Sequence, residues 1–306
     1  MRFAVETWAP EYGAPVGDEA LGDSDAPVDV GVEADPGDWA PRPAPAAPAP
    51  VVLFVDGVQR IDARVWITGD DGVTRPGACA SWAAGVVRCD GAATVVAAEV
   101  RRGVLCPGAE VEAIATRHGP YDAHKVVATP GVDAVGLALG QARGDLEGRV
   151  AAAAGGGHDL LVVDGPLGAR RHIAGAVGYV KTHHVAYLPP DLQRVVAALA
   201  PGERTPLFTV GDHRFRWSWY QRLPGPADHP WWGVVRCEAP GDLTLAAAGA
   251  RADVVAATLP RFASQPHNEP RAPQNLHPIA GLERALKRRL GDALVLERAL
   301  RRAAAA

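Results

Sequence analysis

No apolar run in this 306-residue chain approaches the roughly 20 residues that a membrane span needs. The N-terminus has no basic region followed by an apolar segment, so no secretory signal is expected. Cysteine is scarce. Cys79, Cys89, Cys106 and Cys237 show no Cys-x-x-Cys spacing, which argues against zinc and reads as reduced, mostly buried thiols of a cytoplasmic protein. A strong charge of one sign is also missing: the formal net charge is −4.

That total hides an asymmetry. Residues 1–50 hold ten acids and two arginines, a net of −8, which leaves about +4 for residues 51–306. A mildly basic body behind an acidic leader is compatible with a nucleic-acid partner, though it does not demand one. Hydrophobic content of 48% is enough for a full core, and the length fits one large domain or two small ones.

The leader divides by composition. Residues 1–16 contain Phe3, Val5, Trp8 and Tyr12, too many large apolar groups for a plain tail, and are expected to pack as an extended piece. Residues 17–40 are rich in Asp, Glu and Gly and are expected to form a mobile loop. Residues 41–50 form a proline-alanine spacer. The expected division is therefore 1–50, a largely loop-like leader, and 51–306, the working domain.

Two stretches organise that domain. Leu160-Leu161-Val162-Val163 runs without alternation into Asp164-Gly165-Pro166, which reads as a strand buried on both faces and ending at an acid. Val51 to Val55 followed by Asp56-Gly57 repeats the pattern. Strands that each deliver a carboxylate at the same end can set two acids side by side, where like charges call for a cation. Oxygen-only sites suit Mg²⁺ or Mn²⁺. The plainer reading is that each Asp-Gly merely starts a turn.

Around them, Arg64 to Thr68, Ala78 to Cys89 and Thr94 to Val100 read as short strands of an antiparallel meander. Between Pro130 and Ala154 the period changes: Val132, Val135, Leu139, Ala142, Leu146 and Val150 make a helical stripe that Gly155 ends. Gly136 and Gly140 share a face with Glu147, which points to a close backbone approach there. The plainer reading of Glu147 is an ion pair with Arg143 on a solvated surface. Arg170, Arg171 and His172 follow the Asp164 strand, and Lys181, His183 and His184 follow Val177 to Val180. Phe215 to Arg222 mixes arginines with aromatics, so Arg216, Trp217 and Trp219 either track phosphates and stack on bases or form a half-buried strand with snorkelling arginines. Pro278 opens a late helix with the stripe Ile279, Leu282, Leu286 and Leu290. Glu283 sits beside that stripe, with Lys287 one turn on as a ready ion-pair partner.

These pieces resemble the NurA family of prokaryotic DNA-end-processing nucleases over about residues 51–300. The resemblance rests on Val55-Asp56-Gly57, Leu146-Glu147, Val163-Asp164-Gly165-Pro166-Leu167, Gly178-Tyr179-Val180-Lys181-Thr182 and Gln274-Asn275-Leu276-His277-Pro278-Ile279. It implies an α/β, ribonuclease-H-like mixed sheet flanked by helices, opening with the meander. It implies a deoxyribonuclease acting on DNA ends in double-strand break repair, 5′→3′ exonuclease and/or endonuclease, with two Mn²⁺ or Mg²⁺ ions. Asp56, Glu147 and Asp164 match the family's acids, Lys181 would neutralise a phosphate, and Glu283 falls near the fourth ligand, with His277 as the substitute. Arg170, Arg171, His183, Arg216, Trp217 and Trp219 would touch DNA. A homodimer and a HerA-type hexameric ATPase are the implied partners. The competing readings are a non-catalytic nucleic-acid-binding or scaffold protein that keeps the fold, and an unrelated phosphohydrolase with a mainly parallel sheet and no meander.

Overall fold

The computed structural model describes residues 22–69, 71–127, 133–168, 170, 173, 175–212, 215–225 and 229–305. Residues 1–21, Pro130, Val132, Arg171 and His172, for which the sequence raised expectations, lie outside the described residues. In chain order the early strands are β1 (Gly22–Asp23), β2 (Val28–Asp29), β3 (Arg42–Pro43), β4 (Val52–Thr68), β5 (Thr74–Asp90), β6 (Ala92–Pro107) and β7 (Asp122–Val126). Helix α1 (Ala134–Ala153), β8 (Leu160–Asp164), β9 (Ala176–Val180), β10 (Val185–Ala186) and α2 (Pro190–Ala198) follow. Then come β11 (Glu203–Arg204), β12 (Phe208–Val210), β13 (Arg216–Arg222), β14 (Val234–Pro240), α3 (Leu245–Thr258), α4 (His277–Arg289) and α5 (Ala293–Ala304). Among the described residues no helix is long and apolar enough to cross a membrane. All four cysteines are buried free thiols, as their spacing implied.

The chain forms two compact units. The first gathers residues up to Phe54, Arg88–Thr94 and Gly156–Ala280. Its strands run in the order β2-β12-β13-β14-β9-β8. In that order β8 and β9 pair in parallel, while β9 with β14, β14 with β13, β13 with β12 and β12 with β2 are antiparallel; β1 and β10 form a separate parallel pair. Val162, Val163 and Leu160 on β8 and Ala176 to Tyr179 on β9 are fully buried, because neither face of these central strands meets water. Trp39, Leu188, Leu192, Val196, Phe208, Tyr220 and Val234 form one apolar cluster.

For residues 22–40 that cluster corrects the expectation of a mobile loop. Trp39 is buried in it, and its indole N–H donates to Val30 O at 3.0 Å. Val28 and Asp29 extend the sheet beside β12, and Arg42 pairs with Arg204 on β11. Glu33 accepts from the buried Arg204 at 2.9 and 3.0 Å, and Arg204 also donates to Asp253 at 2.7 Å. High net charge predicts disorder only when the charges lack partners. Here the acid is bound by a buried guanidinium.

The second unit comprises Val55–Val87, Val95–Gly155 and Gly281–Ala306. Its strand order is β4-β5-β6-β7. A few residues join β4 to β5, and Gly91 alone joins β5 to β6, so these neighbours must be antiparallel; a parallel return needs a dozen residues or more. This is the expected meander, and it disagrees with the mainly parallel phosphohydrolase. β6 and β7 then pair in parallel. Strand β4 differs from expectation. It does not stop at Asp56-Gly57 but continues for 17 residues, buried through Val58 and then alternating as one face opens to solvent.

Candidate active site

Asp164 ends β8 as the sequence implied. The next residue, Gly165, turns with φ of 91°, and its N–H and C=O exchange hydrogen bonds with Tyr179 at 2.7 and 3.0 Å. The loop is clamped from two sides. Leu167 N donates to Glu238 Oε2 at 2.9 Å, and a Cβ added at Gly178 would lie only 2.7 Å from that same nitrogen. Arg170 Nη1 caps the turn by donating to Pro166 O at 3.1 Å.

On the neighbouring strand's end, Lys181 Nζ donates to Asp164 Oδ2 at 2.7 Å and to Asn275 Oδ1 at 3.0 Å. Asp164 Oδ1 is buried with no hydrogen-bond donor among the described residues. Tyr179 OH donates to Gln274 O at 2.6 Å, which ties the Gln274-Asn275 loop to β9. Burial, with smaller contributions from Cys237 and Asp164, raises the Tyr179 phenol well above its ordinary value, so it stays a donor. Asn275 and Glu238 were not read as functional from the sequence. Asn275 meets Lys181 across 94 residues, and no local pattern encodes that pairing.

In the second unit Asp56 and Glu147 are buried, at 6% and 1% exposure. Asp56 Oδ1 accepts from Gly57 N at 2.7 Å. Glu147 does pair with Arg143, at 3.2 Å, but not on a solvated surface: its side chain is 2% exposed. The glycine that admits α1 to the sheet is Gly57. A Cβ there would stand 2.5 Å from Glu147 Oε1, 2.9 Å from Arg143 Cγ and 3.1 Å from Ala83 O. Gly140 has open space beside it, and Gly136 faces only Asp133, the residue whose side chain caps the helix. The close approach expected at those two helix glycines is therefore supplied from the strand.

Glu283 pairs with Lys287 at 3.7 Å, with side-chain exposures of 17% and 57%. His277 is exposed at the start of α4. Ile279, Leu282, Leu286 and Leu290 are buried as the stripe implied.

Several expected DNA contacts are corrected. Trp219 is fully buried and Trp217 nearly so; their indole N–H groups donate to Gln221 Oε1 and Leu243 O. Rings enclosed in the core cannot stack on bases. Arg216 donates to the buried Glu238 at 2.8 Å and so serves the loop after Asp164. His183 is enclosed between Tyr220 and Trp231. Burial, partly offset by its contact with Val234 O, pushes it down to about 4, so it offers no charge to a phosphate at neutral pH. Arg170 is half-buried and turned onto its own loop.

Among the described residues no group of three or more His, Cys, Asp or Glu side chains stands in a metal-ligand arrangement. No family model matches the chain, and no curated protein matches it. Among solved structures the chain is similar to the crystal structure of the NurA nuclease from Sulfolobus solfataricus, at 11% identity over 81% of each chain and with a TM-score of 0.47, a likeness too slight to assign the site or the activity.

Proposed function

We propose that this protein is a DNA nuclease of ribonuclease-H-like fold that uses Mn²⁺ or Mg²⁺ to hydrolyse phosphodiester bonds at DNA ends. The observation that supports it most is Asp164. A strand end, a glycine turn and Lys181 fix the carboxylate, yet it keeps a buried oxygen with no donor among the described residues. A buried, unsatisfied carboxylate oxygen is costly unless something binds it, and a hard cation is the fitting ligand.

Asp56, Glu147 and Asp164 would hold the cations, with Glu283 as the fourth ligand and His277 as its substitute. Bound there, divalent cations withdraw charge from a phosphate and lower the pKa of a water. The chain's own residues do the rest. Lys181 has three donors; among the described residues Asp164 and Asn275 take two, and the third N–H would hold a phosphate oxygen. Asn275 fixes the direction of that ammonium. Glu238 and Gly178 hold the loop that carries Asp164. A second copy of the chain and a HerA-type hexameric ATPase are the proposed partners, and co-purification of the mixed proteins by size exclusion tests both.

Purified Asp164→Asn and Asp56→Asn should each lose cleavage of linear DNA with Mn²⁺ while keeping the wild-type circular dichroism spectrum. The amide keeps the shape and removes the charge. Near wild-type cleavage by either variant places the chemistry elsewhere.

A second reading has an observation of its own. Glu147, Asp164 and Glu283 each have a basic neighbour, Arg143, Lys181 and Lys287, as they would in a scaffold that kept the fold without cations. Calorimetric Mn²⁺ titration separates the two, because the scaffold takes up no cation that Asp164→Asn removes.

A further inference from the structure

The second unit has a cleft of about 550 Å³ on a different side of α1 from Glu147. Ala138, Gln141, Ala142, Asp145 and Arg149 line it at intervals of three and four residues, so they share one helix face. Glu147, two residues from Asp145 at about 100° per residue, points the other way. Opposite stand Trp82 of β5, Arg102 of β6 and Asp122, His124 and Lys125 of β7.

The charges here are not arranged as a structural ion-pair network. Arg101 is held by Glu99, but Lys125 and Arg149 have no ion-pair partner among the described residues, although Asp122 and Asp145 line the same cleft. Two buried donors in its wall also lack acceptors among the described residues, the indole N–H of Trp82 and Nε of Arg102. Trp82 is itself 2% exposed and packs edge-on against the half-exposed His124, with ring centroids 5.0 Å apart. Gly103 keeps this corner tight: a Cβ there would meet His124 Cδ2 at 2.6 Å and the Trp82 ring at 2.9 Å. Arg102 Nη2 donates to Leu290 O at 3.3 Å, so the cleft is a built wall whose remaining donors and whose Lys125 and Arg149 cations have no partner among the described residues.

We propose that this cleft binds a nucleotide unit, free or at the end of a strand. Arg102, Lys125 and Arg149 match a phosphate. Asp122 and Asp145 would repel a second phosphate, which sets the cleft apart from a groove that tracks a duplex backbone. They match the amino and ring N–H donors of a base, as an acidic side chain does when it reads a base edge. His124 offers an aromatic edge beside them. The inference stands independently of the proposed cleavage, because none of the acids assigned to that reaction lines the cleft.

The test is isothermal titration of the full-length protein in EDTA, so that no cleavage intervenes. The probes are inorganic phosphate, dGMP and a ten-nucleotide single strand. Wild type should bind dGMP more tightly than phosphate. Lys125→Ala and Arg149→Ala, both exposed positions, should each weaken dGMP at least fivefold. Asp145→Asn should weaken dGMP while leaving inorganic phosphate unchanged. Tighter binding of the strand than of dGMP assigns the cleft to a strand end, and equal binding to a free nucleotide; both support the proposal. Undiminished dGMP binding in the Lys125→Ala, Arg149→Ala double variant overturns it, as does phosphate binding with no preference for the nucleotide. Loss of Mn²⁺-dependent cleavage in Asp164→Asn with dGMP binding intact is expected. Cleavage retained there would overturn only the nuclease reading.

Discussion

Glu147 Oε1 lies where a side chain at position 57 would have to begin, 2.5 Å from the Cβ that Gly57 does not have. One missing methyl group lets α1 lean on β4 and sets a buried acid against the backbone of residue 57. Gly57→Ala should therefore act at both levels. Overpacking against Ala83 O and the Glu147–Arg143 pair should destabilise the second unit by about 1–3 kcal/mol. Cleavage should fall further than stability does, because the acid must move. Thermal melting and Mn²⁺-dependent cleavage, measured together, check this; an unaltered melting temperature with full activity would mean that α1 does not rest there.

Glu33 is held by a buried guanidinium, so its removal should be felt. Arg204 is 3% exposed at its side chain, and Glu33 supplies one of its two carboxylate partners. Glu33→Ala leaves Asp253 alone with that charge, and the expected loss is roughly 3 kcal/mol, at the lower end for breaking a buried pair. Urea unfolding gives the number. A shift in midpoint no larger than that of an exposed substitution such as Glu297→Ala would restore the leader to a passive role.

The parts legible in the sequence were those encoded locally. Leu160 to Val163 is an unbroken apolar run because β8 is covered on both faces, and Ile279 to Leu290 steps at helical spacing because one side of α4 is buried. Composition misled where the same letters serve different geometry. Asp164-Gly165 is a turn with positive φ, whereas Asp56-Gly57 lies within β4, its glycine needed by a helix far along the chain. The arginines and tryptophans of β13 fit a half-buried strand and also a nucleic-acid surface by sequence alone; Gln221, Leu243 and Glu238 satisfy them within the fold. Trp39 and Glu33 looked like parts of a solvated acidic loop because their partners, Phe208 and Arg204, lie more than a hundred residues away.

His183 gives a pH dependence with a definite sign. Its pKa falls from 6.5 to about 4 on folding, chiefly through burial, with Arg236 and His184 adding to the effect. Below pH 6.5 the unfolded chain binds a proton that the folded chain refuses, so stability is full above that pH and declines as pH falls toward 4. The loss should approach about 3 kcal/mol at the acid end. Glu33, whose carboxyl is held below its ordinary value, weakens at still lower pH, so the variant comparison is needed to isolate the histidine. His183→Gln should flatten the urea-midpoint profile between pH 6.5 and 4. An identical slope in variant and wild type would assign the acid sensitivity to carboxylates alone.

Glu283 decides between a catalytic ligand and a surface pair. Its partner Lys287 is more than half exposed, while Glu283 is held near the buried stripe with only 17% of its side chain in contact with solvent. An ion pair of 3.7 Å to an exposed lysine contributes little, about 0.5 kcal/mol or less. Beside the stripe a carboxylate can serve a cation while its stem stays packed, and a bound cation would balance its charge. Glu283→Gln should therefore raise the Mn²⁺ concentration needed for half-maximal cleavage by about tenfold or more, in line with losing a ligand or its support. Lys287→Gln should leave that concentration unchanged, since the lysine would lose only a screened contact. If the two variants titrate alike and like wild type, Glu283 belongs to the pair, and His277, exposed at the start of the same helix, becomes the residue to substitute next.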